Sequence, residues 1–239
     1  MIPKKIHYCW FGHQEFPQLV IKCIKSWSIY CPDYEIIEWN EDNFDINSND
    51  YTKEAYNAKK YAFVSDYARL YALVNNGGIY MDTDVELIRP IDELLDLEAF
   101  CGFDEHIEFI STSIMACYKE YDLFMRFLSY YENRHFMLSN ELLDLTTNVT
   151  IITNICCELG LITSNTRQMK NGLTVFPSYY FSPEKLRDGS FNIQTNTFCV
   201  HHKLASWWPR YKRIWKIIAI RIPLLQKINK IRKRLMKYF

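Results

Sequence analysis

Two aspartates separated by one residue, Asp82 and Asp84, follow the short apolar run Ile79–Met81. This run, entered through Gly77 and Gly78, predicts a buried strand. Carboxylates spaced i, i+2 at a strand end can approach one divalent cation once the backbone turns, and their oxygens suit a hard ion such as Mg²⁺ or Mn²⁺. Such an ion neutralises the charge that builds on a departing diphosphate. The alternative is an ordinary polar turn after a strand.

An acid and a base, Asp66 and Arg69, lie on the helix predicted just before this strand. Their spacing of i, i+3 places both on one helix face. Ser65 is a suitable N-cap residue for a helix over Asp66–Asn75, and Asn76-Gly77-Gly78 is a suitable end for it. The alternative for Asp66 and Arg69 is a simple surface ion pair, worth about 0–1 kcal/mol.

The rest of the chain alternates between strand-like and helix-like patterns, which predicts an α/β fold. Predicted strands are Ile6–Phe11, Tyr34–Trp39, Phe100–Phe103, Ile110–Ala116, Leu173–Pro177 and Thr197–His201. Predicted helices are Gln18–Tyr30, Thr52–Lys60, Tyr118–Tyr131 and Leu138–Leu159. The β-α-β-α-β opening predicts an open, mostly parallel sheet flanked by helices. Ligands in such sheets bind outside the carboxyl ends of the strands, where Asp82 and Asp84 are expected.

Charge is distributed unevenly along the 239 residues, although the formal net charge is zero. Residues 189–239 hold 12 Lys and Arg and no Asp or Glu, and residues 210–239 mix 11 of these basic residues with apolar ones. This stretch is interpreted as a basic amphipathic helical tail. We expect it to lie on anionic lipid, with packing against the domain as the alternative. Nucleic-acid binding is not favoured, because no recognised motif accompanies the charge.

Cysteine usage and apolar runs indicate a cytoplasmic protein. The eight cysteines show no C-x-x-C spacing, and free thiols suit a reducing compartment. Cys156 and Cys157 leave a zinc or redox site as a weak alternative. The first residues have no apolar signal region, and no stretch of 18 uncharged apolar residues exists. The expected location is therefore the cytoplasm, with peripheral attachment to the inner face of the cell membrane through the tail.

Three separated motifs, in order, resemble glycosyltransferase family 32. They are Ile2–Gly12, then Phe63–Tyr71 followed by Gly77–Asp84, and finally Tyr180–Pro183 with His201–Trp207. The resemblance covers residues 2 to about 208, and the same order is similar to that in the large clostridial glucosylating toxins. Residues 147–149 stand where many family members carry a Gly-Pro turn, so sugar specificity does not transfer. The resemblance implies a GT-A-type nucleotide-sugar-binding fold, with a catalytic domain over residues 1–208 and the basic tail over residues 209–239.

The resemblance also implies roles for individual residues. Catalytic roles fall on Asp66, Arg69 and Asp82. The implied donor-binding residues are Tyr8, Trp10, Ser65, Asp66, Arg69, Tyr80, Asp82, Ser206 and Trp207, with Trp208 as an alternative to Trp207. Trp10 is expected to stack on the nucleotide base, and Ser206 and Trp207 to contact the diphosphate. The implied metal ligands are Asp82, Asp84 and His201, with His202 as the alternative to His201.

The activity implied is a metal-dependent, retaining transfer of a sugar from a nucleotide-sugar, UDP-sugar being favoured over GDP-sugar. The expected acceptor is a lipid-linked or other glycan, in the synthesis of capsular or other surface polysaccharide, and the expected cofactor is Mn²⁺ or Mg²⁺. Two alternatives remain open. One is a toxin-like effector that glycosylates a host protein, and the other is a non-catalytic module that binds sugar-nucleotides.

Overall fold

The computed structural model of the chain describes residues 1–105 and 109–204. These residues form nine strands and five α-helices, with 3₁₀ turns at Asp92–Leu94 and Ser178–Tyr180. The strands are β1 (Lys5–Cys9), β2 (Glu35–Trp39), β3 (Gly78–Met81), β4 (Val85–Leu87), β5 (Ala99–Phe103), β6 (Ile110–Cys117), β7 (Gln168–Lys170), β8 (Leu173–Phe176) and β9 (Cys199–His201). The helices are α1 (Gln18–Tyr30), α2 (Asp50–Asn57), α3 (Tyr61–Asn76), α4 (Asp122–Ser129) and α5 (Asn148–Glu158).

Seven strands form one sheet in the order β2-β1-β3-β6-β5-β8-β7, and β4 pairs with β9 in a separate two-stranded ribbon. In the large sheet, β6 and β7 run opposite to the other five strands. The expected α/β class and the mostly parallel sheet flanked by helices are confirmed. The sheet is mixed around β6, which is antiparallel to both of its neighbours.

Buried side chains fill both faces of the sheet. Alternation along β3 shows the division, because Ile79 and Met81 pack on the side of α1 and the ribbon, whereas Tyr80 packs on the side of α3, α4 and α5. Successive side chains of a strand point to opposite faces, so a short strand can serve two cores. Every residue of β3 is buried, and the strand therefore aims the residues that follow it from a fixed base.

The turn between α3 and β3 requires glycine. Gly77 and Gly78 have φ angles of +64° and +103°, and a Cβ atom on Gly78 would lie 2.8 Å from the carbonyl oxygen of Lys5. Behind this turn, the buried His7 Nε2–H donates to the Gly77 carbonyl oxygen at 2.8 Å, and Trp39 Nε1–H donates to His7 Nδ1 at 3.1 Å. Burial lowers the pKa of His7 to about 4, so the ring is neutral and supports the turn.

The N-terminus predicted for α3 is wrong. The helix begins at Tyr61 rather than Asp66, and Ser65 lies inside it, where its hydroxyl donates to the Tyr61 carbonyl oxygen at 3.1 Å. The reason is burial, because starting earlier places Phe63 and Val64 in the core. The predicted end of the helix is confirmed, since Gly77 N–H donates to Leu73 O at 2.8 Å.

Two later helices are shorter than predicted because left-handed backbone interrupts them. Glu120 has a φ angle of +59°, and α4 cannot begin before Asp122. Glu141 has a φ angle of +62° within a turn, and α5 begins at Asn148 rather than at Leu138. The three-residue strands β4 and β7 were not predicted.

Other expectations concern the cysteines, the membrane and the tail. All eight cysteines are free, and seven of them are buried. Across residues 1–105 and 109–204, no helix has the length and apolar character needed to cross a membrane. Ser206, Trp207, Trp208, the boundary near residue 208 and the predicted tail lie outside the described residues.

Candidate functional site

The acidic turn lies directly after β3, at the edge of the sheet where its carboxyl end meets solvent. Asp82 N–H donates to Ser113 O on β6 at 2.8 Å, and Val85 N–H closes the turn by donating to Asp82 O at 2.9 Å. Asp82 is therefore tied to the large sheet, and Asp84 immediately precedes the ribbon strand β4. An ordinary polar turn was the alternative interpretation of these residues. The two carboxylates of this turn, however, lie in two different networks of side chains.

The first network is a candidate metal centre. One ligand atom each from Asp82, Asp84 and His201 lies within 4.8 Å of the other two. The ribbon brings the histidine in, because Val85 pairs with His201, and His201 Nε2 lies 3.3 Å from Asp84 Oδ1. Two carboxylates and an imidazole form a donor set that fits Mn²⁺ and is acceptable to Mg²⁺ with added water.

His201, and not His202, faces this cluster. Neighbouring residues of an extended strand point to opposite sides, so only one of the two imidazoles can reach Asp84. His202 Nε2–H instead donates to Glu86 Oε2 at 2.8 Å. The geometry therefore separates the two alternatives that the sequence left open.

Charge is balanced between Asp84 and His201. Burial by itself raises the pKa of Asp84, but attraction to His201, the hydrogen bond with it and backbone N–H donors together outweigh burial, and the pKa lies below its ordinary value. Burial by itself lowers the pKa of His201, but Asp84 outweighs it and the pKa is raised. Asp84 Oδ2 also accepts from Leu204 N–H at 2.7 Å. His201 Nδ1 is buried and has no partner among the described residues, which leaves that imidazole under-satisfied.

The second network surrounds Arg69. Its guanidinium lies 3.0 Å from Asp66 Oδ1 and 3.4 Å from Asp82 Oδ1, and it donates to Thr112 O at 2.7 Å. It also lies over the Tyr80 ring, with Cζ 4.6 Å from the ring centre. Only 7% of the Arg69 side chain is exposed, so a surface ion pair is wrong as an interpretation.

Asp66 lies behind Arg69. Its Oδ1 contacts Arg69, and its Oδ2 accepts from the backbone N–H of Asn148, the first residue of α5, at 3.1 Å. Burial raises the pKa of Asp66 to about 6, although Arg69 and the Asn148 N–H both favour the charged carboxylate. The structure thus places Asp66 where it holds Arg69 and the start of α5.

Asp82 belongs to both networks. The Tyr80 hydroxyl donates to Asp82 Oδ1 at 3.0 Å, next to Arg69, and Asp82 also lies in the cluster with Asp84 and His201. About 27% of its side chain is exposed, more than for Asp84 or Arg69. This carboxylate is the point at which a positively charged side chain and a metal ion would meet.

The remaining predicted donor-binding residues use their polar groups elsewhere in this structure. The Tyr8 hydroxyl donates to Glu38 Oε2 at 2.7 Å, and Trp10 Nε1–H donates to Gln14 O at 2.6 Å. Trp10 follows the carboxyl end of β1, which is the parallel neighbour of β3, so it lies at the same edge of the sheet as Asp82. Ser65 lies on α3, one residue before Asp66.

Two residues of the Arg69 network were missed from the sequence. Thr112 is one of three consecutive hydroxyl residues on β6, and that run was the only available signal. Asn148 was missed because it lay in the middle of a predicted helix, Leu138–Leu159, whereas the observed helix begins at Asn148 itself. Its Nδ2 donates to the Tyr131 hydroxyl at 2.9 Å and to Asp66 O at 3.2 Å.

Comparison with known proteins agrees with the resemblance found in the sequence. The family model described as a glycosyltransferase sugar-binding region containing a DXD motif matches residues 17–101, which include α3, β3 and the acidic turn. Over these residues the chain resembles DXD-containing glycosyltransferases. The predicted resemblance is confirmed over this region, and Asp82-Thr83-Asp84 is the D-x-D sequence within it.

Two curated relatives are similar to part of this chain. "Subversion of eukaryotic traffic protein A" of Legionella pneumophila is 29% identical over 119 residues, covering 38% of this chain and 18% of the relative. "Inositol phosphoceramide mannosyltransferase 3" of Schizosaccharomyces pombe is 33% identical over 107 residues, covering 41% of this chain and 29% of the relative. The matched stretches thus span less than a third of either relative.

Among solved structures, this chain is similar to "PaToxG Glycosyltransferase" with a TM-score of 0.50 and 16% identity. The superposition covers 66% of this chain and 69% of that one. At this level of identity the likeness concerns the fold alone, and it agrees with the GT-A-type fold predicted from the motifs.

Proposed function

We propose that this protein transfers a sugar from a nucleotide-sugar donor to a glycan acceptor, with a divalent ion held by Asp82, Asp84 and His201. The single observation that carries the proposal is the convergence of these three side chains, within 4.8 Å, at the DXD motif of the matched family region. A bound ion there supplies positive charge for the donor diphosphate, and Mn²⁺ or Mg²⁺ is the proposed cofactor.

Arg69 supplies fixed positive charge beside the ion site. Its guanidinium is held from several sides by Asp66, Thr112 and Tyr80, so little reorganisation accompanies the reaction. Preorganised charge of this kind stabilises the negative charge that develops on a leaving group. The proposed roles are therefore catalytic for Asp82 and Arg69, and support of Arg69 for Asp66.

The donor would extend from this cluster toward the carboxyl end of β1. Trp10 is proposed to stack on the base, and Tyr8, Ser65 and Tyr80 to line the donor site. The resemblance of the motifs supports a UDP-sugar before a GDP-sugar and retention of configuration at the transferred sugar. Ser206 and Trp207 keep their proposed contacts with the diphosphate.

A lipid-linked glycan is the proposed acceptor, in the synthesis of capsular or other surface polysaccharide. The name of the Schizosaccharomyces pombe relative refers to a mannosyltransferase of an inositol phosphoceramide, which supports a lipid-linked acceptor. Cytoplasmic location with attachment to the inner face of the membrane through residues 209–239 is part of the same proposal.

A host protein is the second candidate acceptor. The name of the Legionella pneumophila relative refers to subversion of eukaryotic traffic, which supports an effector that glycosylates a protein. The same donor site serves both candidates, so the acceptor alone distinguishes them.

The test is a panel of UDP- and GDP-sugars incubated with the purified protein and Mn²⁺, with donor hydrolysis and transfer followed by mass spectrometry. We expect one donor to be turned over, and the turnover to stop with EDTA and resume with added Mn²⁺. Lipid-linked glycan extracts and eukaryotic cell lysate are the two acceptor arms. Binding of a donor without hydrolysis or transfer in either arm would favour the non-catalytic module instead.

A further inference from the structure

The ribbon that carries the candidate metal ligands is very short. β4 and β9 have three residues each. Asp84 immediately precedes β4, and His201 is the last residue of β9 and pairs with Val85. An isolated two-stranded ribbon is at best marginally stable in water. The positions of Asp84 and His201 therefore depend on what fixes the ribbon to the rest of the domain.

Side chains of helix α1 form hydrogen bonds with the backbone of β4. Trp27 Nε1–H donates to Val85 O at 2.8 Å, and Leu87 N–H donates to the Ser26 hydroxyl at 2.9 Å. These two bonds lie on either side of Glu86 and leave its side chain as the central group on that strand. Both bonds hold the backbone of β4, and neither contacts β9 or His202.

Glu86 joins three elements. Its Oε1 lies 2.8 Å from Lys22 Nζ on α1, and its Oε2 accepts from His202 Nε2–H just beyond β9 at 2.8 Å. His202 is the diagonal cross-strand neighbour of Glu86, because Glu86 itself pairs with Val200. Both the Glu86 and His202 side chains are less than one-fifth exposed.

Fixing His202 also fixes His201. The two imidazoles project to opposite sides of an extended backbone. A rotation of this backbone that moved His202 away from Glu86 would therefore also turn His201 away from Asp84. The Phe191 ring packs edge-on against His202, with ring centres 5.4 Å apart, and holds that imidazole from the other side. The backbone N–H of His202 also donates to Asp84 O at 3.0 Å, and the bond between Glu86 and His202 adds a side-chain contact that holds this segment beside the two aspartates.

We propose that Glu86 is a positioning residue of the metal centre, which holds His201 in place through His202 and anchors the ribbon to α1 through Lys22. This inference rests on the proposed function, since it assumes that Asp82, Asp84 and His201 bind the ion. Glu86 itself does not contact the ion. Its effect is on how tightly and with which ligands the ion is held.

The test compares Mn²⁺ affinity among variants by titration against the electron paramagnetic resonance signal of free Mn²⁺. We expect Glu86→Ala and His202→Phe each to raise the dissociation constant about 10-fold or more, as loss of outer contacts to metal ligands does. Glu86→Gln should restore affinity to within about 3-fold of wild type, because its amide oxygen still accepts from His202. The matched control is Glu158→Ala, which breaks an exposed ion pair with Arg126 (3.0 Å) on the other face of the sheet and should leave affinity unchanged.

A second readout separates positioning from general stability. Pulsed resonance spectra of bound Mn²⁺ should show the nitrogen coupling of His201 in wild type, in Glu86→Gln and in Glu158→Ala, and a weaker or absent coupling in Glu86→Ala. Thermal unfolding without metal establishes that each variant is folded. If Glu86→Ala does not fold, His202→Phe gives the same comparison.

Wild-type affinity and full nitrogen coupling in Glu86→Ala, or in His202→Phe, would overturn the inference. Asp84→Asn, measured alongside, distinguishes this outcome from failure of the proposed function. Mn²⁺ binding by Asp84→Asn equal to wild type would mean that the ion site is elsewhere. Loss of binding in Asp84→Asn together with normal binding in Glu86→Ala would remove only the role of Glu86.

Discussion

The two aspartates of the DXD motif are held by different parts of the molecule. Asp82 belongs to a cluster formed by α3, β3 and β6, where Arg69 and Tyr80 contact its Oδ1. Asp84 is held by residues far along the chain, because His201 contacts its Oδ1 and Leu204 N–H donates to its Oδ2. The comparison teaches that the half of the site proposed to stabilise charge is built into the core. The half proposed to bind the metal depends on a short ribbon.

Removal of Asp84 should have the largest effect. Asp84→Asn keeps the shape of the side chain but removes its charge, and we expect Mn²⁺-dependent turnover to fall about 1000-fold or more, equivalent to about 4 kcal/mol. Turnover is measured at saturating donor over a range of Mn²⁺ concentrations. Undiminished turnover with no added metal would contradict the assignment of Asp84 to the ion.

Replacement of Asp66 should lower turnover without lowering Mn²⁺ affinity, and so distinguish the Arg69 network from the metal cluster. Asp66→Asn leaves Arg69 without one of its two carboxylate partners, and we expect turnover to fall about 300-fold, because preorganised charge is lost. Mn²⁺ affinity should stay within about 3-fold of wild type, since Asp66 is not in the metal cluster. A parallel loss of metal affinity would show that the two networks behave as one unit.

Acidification should weaken the core half through His7. Its pKa is lowered to about 4 by burial, from an ordinary value of 6.5, so the unfolded chain binds more protons between these values. The free energy of unfolding should therefore fall by about 3 kcal/mol as the pH drops from 6.5 to 4, with no contribution from His7 above 6.5.

The measurement for His7 is urea unfolding of wild type and His7→Gln across this pH range, because the difference between them isolates the histidine. His135→Gln is the control at an exposed position. The pKa of His135 is raised, first by its hydrogen bond with Glu54, so its variant should change the pH dependence in the opposite direction. A constant difference between wild type and His7→Gln from pH 7 to 4 would contradict a buried neutral His7.

The smallest effect is expected at Ser65. An N-cap serine replaced by alanine costs about 1 kcal/mol, but a serine inside a helix is replaced at a gain of about 0.5 kcal/mol. Since Ser65 lies inside α3, Ser65→Ala should stabilise the protein slightly in urea unfolding. A loss near 1 kcal/mol would place the start of the helix back at Ser65.

The core half of the site was largely predictable because its contacts are local in sequence. Asp66 and Arg69 are one helical turn apart, and Gly77 and Gly78 mark the entry to the strand that ends at the DXD motif. These positions follow from helix and turn geometry alone. The family resemblance, the GT-A-type fold and the choice of Asp82, Asp84 and His201 came from the motifs. The structure brings those three residues together.

The contacts that remained unpredictable are those between distant segments. Asn148 meets Asp66 across 82 residues, and the Glu86–His202 bond spans 116. Neither has a periodic signal, and β4 and β9 are too short to be recognised as a paired ribbon. Residues with left-handed backbone, such as Glu120 and Glu141, lie where the sequence predicted helix, and the observed helices begin after them. No local rule marks such residues in the sequence.

The dependence of Asp84 on Leu204, which follows it by 120 residues, has a consequence for biosynthesis. At a translation rate of about 5–20 residues per second, the acidic turn precedes its C-terminal partners on the ribosome by on the order of ten seconds. A nascent chain that has folded β3 and α3 already carries paired carboxylates but lacks the imidazole. On the proposed function, ion loading would therefore be a late event that follows synthesis of the last ribbon strand.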